Sequence, residues 1–254
     1  MNTATDAAIG TLPWIRQSDG RLARRQRAAY VAQAARTQAA TMAGWLSAGL
    51  RLTRGASLDP DAIRIPDSAI ARSAEELCEE MQPAFVANHA HRSYLWGALL
   101  AQLDRLTYDA ELFYVAALLH DTGLDPARGD SSCFTVASAR VAEREADEAR
   151  WSPERRDSLA EAITLHLNPR VSLDQGAEAH LLSAGVTLDN IGQRYHELDR
   201  TTVGRVLERH PRVGYKHAFA GLWRAEAKAS PASRARMLRL IGFGLAIRLA
   251  PFRE

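Results

Sequence analysis

The stretch over residues 109–121 constrains the fold of this chain more than any other. Its side chains are apolar nearly all round a helix, and it ends in the pair His120–Asp121. A helix that is apolar on every side belongs in the centre of a bundle. An imidazole and a carboxylate delivered there are costly to bury without partners. The stretch therefore predicts a central helix with a polar site at its end, and a divalent metal is the simplest compensation for that burial.

Helical periodicity runs through the rest of the chain, and no segment alternates as a β-strand does. The chain is therefore predicted to be all-α. Residues 1–20 are predicted to be poorly ordered, with Trp14 as a docking point. The turn-forming stretch 55–60 and a following proline mark a boundary, which predicts an N-terminal helical extension over 1–60 and a metal-dependent domain over 61–254 that includes a C-terminal helix. Helices are expected near 21–50, 67–80, 83–104, 109–121, 134–150, 152–168, 176–192, 198–209, 212–229 and 231–249.

Composition narrows the class of protein. Of 254 residues, 46% are hydrophobic and 24% charged, with a formal net charge of +2, which is typical of a globular protein and argues against a dedicated nucleic-acid binder. The two cysteines form no disulfide framework and fit a reducing compartment. No targeting signal or membrane-spanning stretch is recognised, so we expect a cytoplasmic protein that binds a small-molecule substrate, with no nucleic-acid or membrane partner. A homo-oligomer is left open.

Helical phase decides which polar side chains of residues 83–104 can meet. Phe85, His89, Arg92 and Trp96 follow one continuous stripe. His91 lies roughly 200° around the axis from His89 and cannot share its target. His89 is therefore expected to point toward the same interior as the helix that ends in the His-Asp pair.

The same test applies to the later helices. His166 points inward on the face of the apolar residues before it, and Asp189 shares a face with Gly185, where small residues allow close helix packing. His180 is about half a turn out of phase with Asp189 and is assigned to the surface or an outer shell. Taken alone, His166 could be a hydrogen-bonded core histidine, and Asp189 could cap a helix or pair with an arginine. The order His…His-Asp…Asp on inward faces favours a metal site.

These residues resemble the HD-domain metal-dependent phosphohydrolase superfamily, and within it the group typified by cyanamide hydratase. The resemblance covers about residues 66–225 and implies a compact helical bundle around a buried metal, with His89, His120, Asp121 and Asp189 as the metal ligands. It rests on the segments Asn88-His89-Ala90-His91-Arg92-Ser93-Tyr94, Ala117-Leu118-Leu119-His120-Asp121-Thr122-Gly123, Ala162-Ile163-Thr164-Leu165-His166, Ala184-Gly185-Val186-Thr187-Leu188-Asp189-Asn190-Ile191-Gly192 and His210-Pro211-Arg212.

One segment departs from the pattern of that group. Where cyanamide hydratases are expected to carry an acidic patch resembling Phe-Glu-Val-Asp-Gly-Ala, this chain has Phe134-Thr135-Val136-Ala137-Ser138-Ala139. Both carboxylates are absent, at Thr135 and Ala137. We therefore expect poor turnover of cyanamide itself and a different substrate.

The expected cofactor is one divalent ion, zinc or iron, with manganese and nickel as further alternatives. Such an ion lowers the pKa of bound water toward about 7, so the chain is interpreted as a hydrolase or hydratase that adds water to a small, mostly neutral electrophile such as a nitrile-like C–N compound through a metal-bound hydroxide. Asp121, His166 and Arg92 are the expected catalytic residues: His166 passes protons or hydrogen-bonds the substrate. Arg92 orients a ligand carboxylate or binds an anionic substrate, and a salt bridge to a core carboxylate is its alternative.

Three other functions remain open at this point. A nucleotide phosphohydrolase would need cations near the metal, for which Arg92, Arg212 and Lys216 are candidates. A diiron oxygenase would need two further histidines between Asp121 and Asp189, a span that holds His166 and His180. A non-catalytic sensor is disfavoured because all four ligand positions are intact. Aromatic neighbours are expected to make the pocket favour small neutral substrates over phosphates: Phe85, Tyr94, Trp96 and Phe134.

Overall fold

The computed structural model describes residues 7–50, 54–125 and 132–254, which form α-helices and short 3-10 turns and contain no β-strand. The prediction of an all-α chain is confirmed. The α-helices are α1 (Leu12–Ser18), α2 (Arg24–Gly49), α3 (Ala69–Met81), α4 (Ala84–Asp104), α5 (Ala110–Leu119), α6 (Phe134–Glu148), α7 (Pro153–Leu165), α8 (Ala177–Ile191), α9 (Arg200–Arg209), α10 (Tyr215–Ala229), α11 (Arg234–Leu240) and α12 (Phe243–Leu249), and the 3-10 helices are Pro60–Ala62, Leu173–Gln175 and Tyr195–Glu197.

The central helix is α5, as its composition predicts. Every residue from Leu112 to Leu119 is buried, so the helix packs on all sides. Asp109 begins it by accepting a hydrogen bond from the amide of Leu112 at 3.0 Å, which satisfies one of the free amides of the first turn. Because α5 is enclosed, the residues at its carboxyl end, His120 and Asp121, lie inside the bundle as well.

Helices α4 and α8 pack against each other at close range. Gly185 lies so near the Ser93 carbonyl oxygen that a side chain there would collide with it, and a Cβ at Gly97 would come within 2.8 Å of the Leu181 carbonyl oxygen. Glycine is the residue that permits such an approach of two backbones. The two helices can therefore bring His89 of α4 and Asp189 of α8 into direct contact.

The N-terminal part of the chain is more ordered than the sequence suggests. Residues 1–6 lie outside the described residues, but α1 falls within the segment predicted to be poorly ordered, and Trp14 is buried, 1% exposed. The long helix predicted over 21–50 is present as α2. Three of its side chains bind backbone carbonyls across the bundle: Tyr30 to Leu167 at 2.6 Å, Thr37 to Pro169 at 3.0 Å and Trp45 to Gly192 at 3.0 Å. The division at residue 60 stays a prediction.

The prediction of one continuous C-terminal helix over 231–249 is wrong. It is broken into α11 and α12 at Gly242, whose φ of +85° belongs to the left-handed region. Only glycine adopts that conformation without a steric penalty, so the chain turns there and folds α12 back onto α10. Within the described part of the chain, none of the helices combines the length and the apolar character that crossing a membrane requires.

Candidate metal centre

Three buried side chains converge at the end of α5. His89 comes from the second turn of α4, His120 ends α5, and Asp121 follows it directly. The Asp121 Oδ2 atom lies 3.3 Å from His120 Nε2 and 3.8 Å from His89 Nε2, and the potential ligand atoms all lie within 4.8 Å of one another. This buried group could hold a metal ion.

The facing atoms of this group have no hydrogen-bond partner among the described residues: His89 Nε2, His120 Nε2 and Asp121 Oδ2. Buried polar atoms almost always find a partner, and an unpartnered cluster needs an explanation such as an ion. Two imidazole nitrogens and a carboxylate oxygen are ligands that suit zinc and iron. The residues present therefore fit a divalent metal.

The protonation of both imidazoles follows from their second nitrogen. His120 Nδ1 lies 2.7 Å from the Ala117 carbonyl oxygen, and His89 Nδ1 lies 2.7 Å from Asp189 Oδ2. A carbonyl or carboxylate oxygen can only accept, so each Nδ1 carries a proton, and Nε2 is the atom that faces the centre of the group. Burial lowers the pKa of His120, but the charge of Asp121 outweighs burial and raises it. A bound cation would take the place of a proton on Nε2. Metal-binding histidines are commonly fixed in this way by an acceptor behind them.

The charge of Asp121 is set by its surroundings. Burial raises the pKa of this carboxyl, but the His120 imidazole beside it outweighs burial, and the pKa is lowered to about 2. Asp121 is therefore ionised at neutral pH. A buried carboxylate with an unpartnered oxygen is a strong site for a cation.

Asp189, expected to be a fourth metal ligand, is placed behind His89 rather than beside His120. Its Oδ2 accepts hydrogen bonds from His89 Nδ1 at 2.7 Å and from Arg92 Nη2 at 2.9 Å. Its Oδ1 accepts from Arg92 Nε at 2.8 Å and Trp96 Nε1 at 2.9 Å, and lies 2.9 Å from Arg212 Nη1. Both oxygens are thus occupied by donors of the protein, and Asp189 is outside the group that could hold a metal.

The electrostatics of Asp189 match this role. Burial raises the pKa of its carboxyl, but Arg92 and Arg212 outweigh burial and hold the pKa well below its usual range. The ionised carboxylate pairs with two buried guanidinium groups and fixes the orientation of His89. The sequence left open that Asp189 pairs with an arginine, and the structure shows this pairing. Its role as a metal ligand stays a prediction.

Arg92 is occupied on every side. Besides its two bonds to Asp189, its Nη1 donates to the carbonyl oxygens of His210 at 3.1 Å and Pro211 at 2.9 Å. These contacts match the alternative considered for Arg92, a salt bridge to a core carboxylate, and its expected catalytic role stays a prediction. Arg212 lies between the rings of Tyr215 and Phe252, with its guanidinium carbon 4.4 and 4.5 Å from their centroids.

His166 lies beside the group at the end of α7. Its Nδ1 is 2.6 Å from the Ile163 carbonyl oxygen, and its ring centroid is 4.9 Å from that of His120. Burial, followed by the charge of His120, lowers the pKa of His166 to about 3. His166 is therefore a neutral imidazole at neutral pH, and its Nε2 is an acceptor.

The two other histidines considered from the sequence lie elsewhere. His91 stacks on His210 with ring centroids 4.7 Å apart and planes 6° from parallel. His89 and His91 therefore have different neighbours, as their helical phase predicts. His180 binds the Val171 carbonyl oxygen through Nδ1 at 2.7 Å. Neither belongs to the group around Asp121.

A cavity adjoins the group of His89, His120 and Asp121, and Asp121 and His166 both line it. The four aromatic residues expected in the pocket do not line it. Tyr94 and Trp96 face other parts of the core, where Tyr94 binds the Arg64 carbonyl oxygen and Trp96 binds Asp189. The lining residues are Ala34, Thr37, Gln38, Asp121, His166, Leu167, Asn168, Pro169, Val186, Thr187, Asn190, Ile191, Phe219, Trp223, Leu238 and Phe243.

Comparison of the chain with models of known protein families and with curated proteins finds no match. The likeness to the HD-domain superfamily therefore continues to rest on the residues quoted above.

Proposed function

We propose that this chain is a metal-dependent enzyme of the HD-domain type that adds water to a small, uncharged electrophile, as a hydrolase or a hydratase. The observation that carries the proposal is the buried group of His89, His120 and Asp121, whose facing atoms have no partner among the described residues. Zinc or iron is the ion that these ligands suit best.

The residues around the group have distinct roles in this proposal. A divalent cation held there supplies Lewis acidity, which polarises an electrophile and lowers the pKa of water. His89 and His120 present lone pairs through Nε2, and Asp121 contributes negative charge. His166 Nε2 accepts a hydrogen bond from the attacking water or from the substrate, since its low pKa keeps the imidazole neutral.

The charge of the cavity favours an uncharged substrate. Asp121 and His166 are the ionisable residues in its lining, and that lining includes no lysine or arginine among the described residues. Phosphoryl transfer needs preorganised cationic groups besides the metal. The sequence offers three candidates for such cations. Arg92 and Arg212 are bound to Asp189, and Lys216 donates to the carbonyl oxygens of Ala250 and Phe252. These contacts support hydration or hydrolysis of a neutral C–N compound over hydrolysis of a nucleotide.

Metal content and substrate class test the proposal together. The protein is purified without added metal and analysed by mass spectrometry, and then stripped with a chelator and reloaded with zinc, iron, manganese or nickel. Each form is assayed on nitriles, amides and nucleoside monophosphates. We expect about one ion per chain, as one such ligand group implies, and activity on a nitrile or an amide that is lost on stripping and restored by one metal.

The matched variants are His120→Ala and His180→Ala. The first removes a proposed ligand, and the second removes a histidine on α8 that lies outside the group. Loss of metal in both variants, or none in either, would refute the site. Efficient hydrolysis of nucleotides would indicate a phosphohydrolase, and two irons per chain with oxygen-dependent turnover would indicate an oxygenase.

A further inference from the structure

The cavity beside the metal-binding group is built partly by α2, a helix outside the segment that resembles the HD domain. Ala34, Thr37 and Gln38 of α2 form one wall of the cavity. Tyr30 and Thr37 bind the carbonyl oxygens of Leu167 and Pro169, which follow α7. This wall is therefore attached to the segment that carries His166, and it has a fixed position relative to the site.

Two buried donors in this cavity lack an acceptor. Gln38 Nε2 and Trp223 Nε1 are both inaccessible to solvent, and neither has a hydrogen-bond partner among the described residues. Both side chains line the cavity, Gln38 from α2 and Trp223 from α10. A buried N–H group is rarely left unpaired in a folded protein. Two such groups in one cavity indicate a ligand that brings an acceptor.

The remainder of the cavity wall is largely apolar. Val186, Ile191, Leu238 and Phe243 are aliphatic or aromatic side chains in the lining, and Phe243 packs against Trp223 with ring centroids 4.9 Å apart. Binding sites for small organic molecules typically combine such a wall with a few polar groups that fix orientation. An uncharged molecule with an apolar body suits this surface.

We propose that Gln38 and Trp223 are substrate-binding residues that donate hydrogen bonds to an acceptor atom of an uncharged, partly apolar molecule, such as a carbonyl oxygen or a nitrile nitrogen. The identification of this molecule as the substrate rests on the proposed function, since the cavity reaches the metal-binding group through Asp121 and His166. The N-terminal helix α2 thereby contributes to specificity and not only to stability.

A pair of molecules with the same shape tests the proposal. Benzonitrile carries a nitrogen acceptor, and phenylacetylene has the same outline with a terminal C–H in place of that acceptor. Their dissociation constants are measured by ligand-observed NMR on the full chain, with chelator present so that binding does not depend on metal. We expect benzonitrile to bind more tightly, and Gln38→Met or Trp223→Phe to weaken benzonitrile about 3- to 10-fold, the range for one lost hydrogen bond. Phenylacetylene should bind these variants as it binds the wild type.

Matched controls are Gln33→Met and Trp151→Phe. Gln33 is on the same helix but lines an outer groove, and Trp151 stacks on Arg155 away from the cavity. Both controls should keep the wild-type preference for benzonitrile. The use of two independent variants guards against one that fails to fold, which circular dichroism would reveal.

The result that overturns the proposal is equal binding of the two molecules by the wild type, equal weakening of both in the variants, or no binding of either. The proposed function fails separately. A chain that prefers benzonitrile through Gln38 and Trp223 but takes up no metal keeps these residues as the binding site of an uncharged ligand and refutes the enzyme, so that this ligand is no longer its substrate. A chain that binds metal through His89, His120 and Asp121 but binds benzonitrile and phenylacetylene equally refutes this inference and leaves the proposed function intact.

Discussion

Replacement of Asp189 by asparagine separates its role as a partner of buried cations from a role as a metal ligand. The Asp189 carboxylate contacts Arg92 and Arg212, and all three side chains are fully buried. Asparagine keeps the shape of aspartate but removes its charge. The variant Asp189→Asn therefore leaves two guanidinium groups in the core without the anion that they share.

The size of the effect follows from this burial. Removing one partner of a buried ion pair costs about 3–5 kcal/mol, because an uncompensated charge remains. The total free energy of unfolding of a typical domain is about 5–15 kcal/mol, so the loss is large but measurable. His89 Nδ1 also loses an ionised acceptor, and metal affinity should fall by about 10- to 100-fold, the range for the loss of such a supporting contact.

Urea unfolding of the metal-free protein measures the loss of free energy of unfolding. Wild type and Asp189→Asn are compared in the presence of chelator, with Asp104→Asn as the matched control. Asp104 forms an ion pair with Arg194 whose side chains are 33% and 23% exposed, and its loss should cost less than about 1 kcal/mol. A double variant with Arg212→Met should recover part of the stability of Asp189→Asn, since it removes one of the uncompensated charges.

One result would refute this reasoning. If Asp189 acts chiefly as a metal ligand, the metal-free Asp189→Asn protein will match the wild type in stability, and a difference will develop only when metal is added. A loss of stability in Asp189→Asn with no recovery in the double variant would show that the charge of Arg212 does not cause that loss.

Further predictions concern the histidines and the metal. His89→Ala should abolish metal binding while His91→Ala keeps near-wild-type metal content by mass spectrometry, because the two side chains face different neighbours; equal loss would contradict the assignment. His166→Ala should keep its metal but lose most turnover, and loss of metal would make His166 a ligand. Burial, followed by the charge of His91, lowers the pKa of His210 to about 3, so the folded state favours the neutral ring. The contribution of His210 to the free energy of unfolding is then fully present above the unfolded pKa of about 6.5 and falls as the pH drops toward 3. The variant His210→Phe should reduce the dependence of the free energy of unfolding on pH by up to about 1 kcal/mol per pH unit in this range, as measured by urea titrations. Removal of the metal with a chelator should leave the protein mostly helical by far-ultraviolet circular dichroism, and complete unfolding would contradict this.

The sequence was sufficient to predict the helices around the site. The apolar stretch before His120 must be enclosed, and the structure buries every residue from Leu112 to Leu119. Helical phase also separates His89 from His91, which stacks on His210. Both predictions rest on local periodicity, which depends only on residues that are near in sequence.

The partners of Asp189 could not be predicted in this way. Its donors come from α4 and from the turn that contains Arg212, and their arrangement depends on the tertiary packing of three segments. A carboxylate on an inward face is compatible with a metal or with an arginine, and periodicity does not distinguish the two. The break at Gly242 was missed for a related reason. A glycine inside an apolar run ends a helix only where tertiary packing requires a left-handed backbone conformation at that residue.

Thr135 stands where the resemblance to cyanamide hydratases leads us to expect a carboxylate, and it binds a buried arginine. Thr135 Oγ1 accepts a hydrogen bond from the fully buried Arg234 at 2.8 Å, and Arg234 Nη1 donates to Asn168 Oδ1 at 2.9 Å. These acceptors are neutral, so the guanidinium charge adds to burial and to the neighbouring imidazole in lowering the pKa of His166. A glutamate at this position would offset that charge. Addition of water to a neutral C–N bond develops negative charge on the nitrogen, and a fixed positive potential nearby stabilises such a transition state more than the uncharged ground state. The charge of Arg234 therefore supports the proposed addition of water to a neutral C–N compound. Because cyanamide is such a compound too, the prediction of its poor turnover rests on the absent carboxylates at Thr135 and Ala137 and not on this charge.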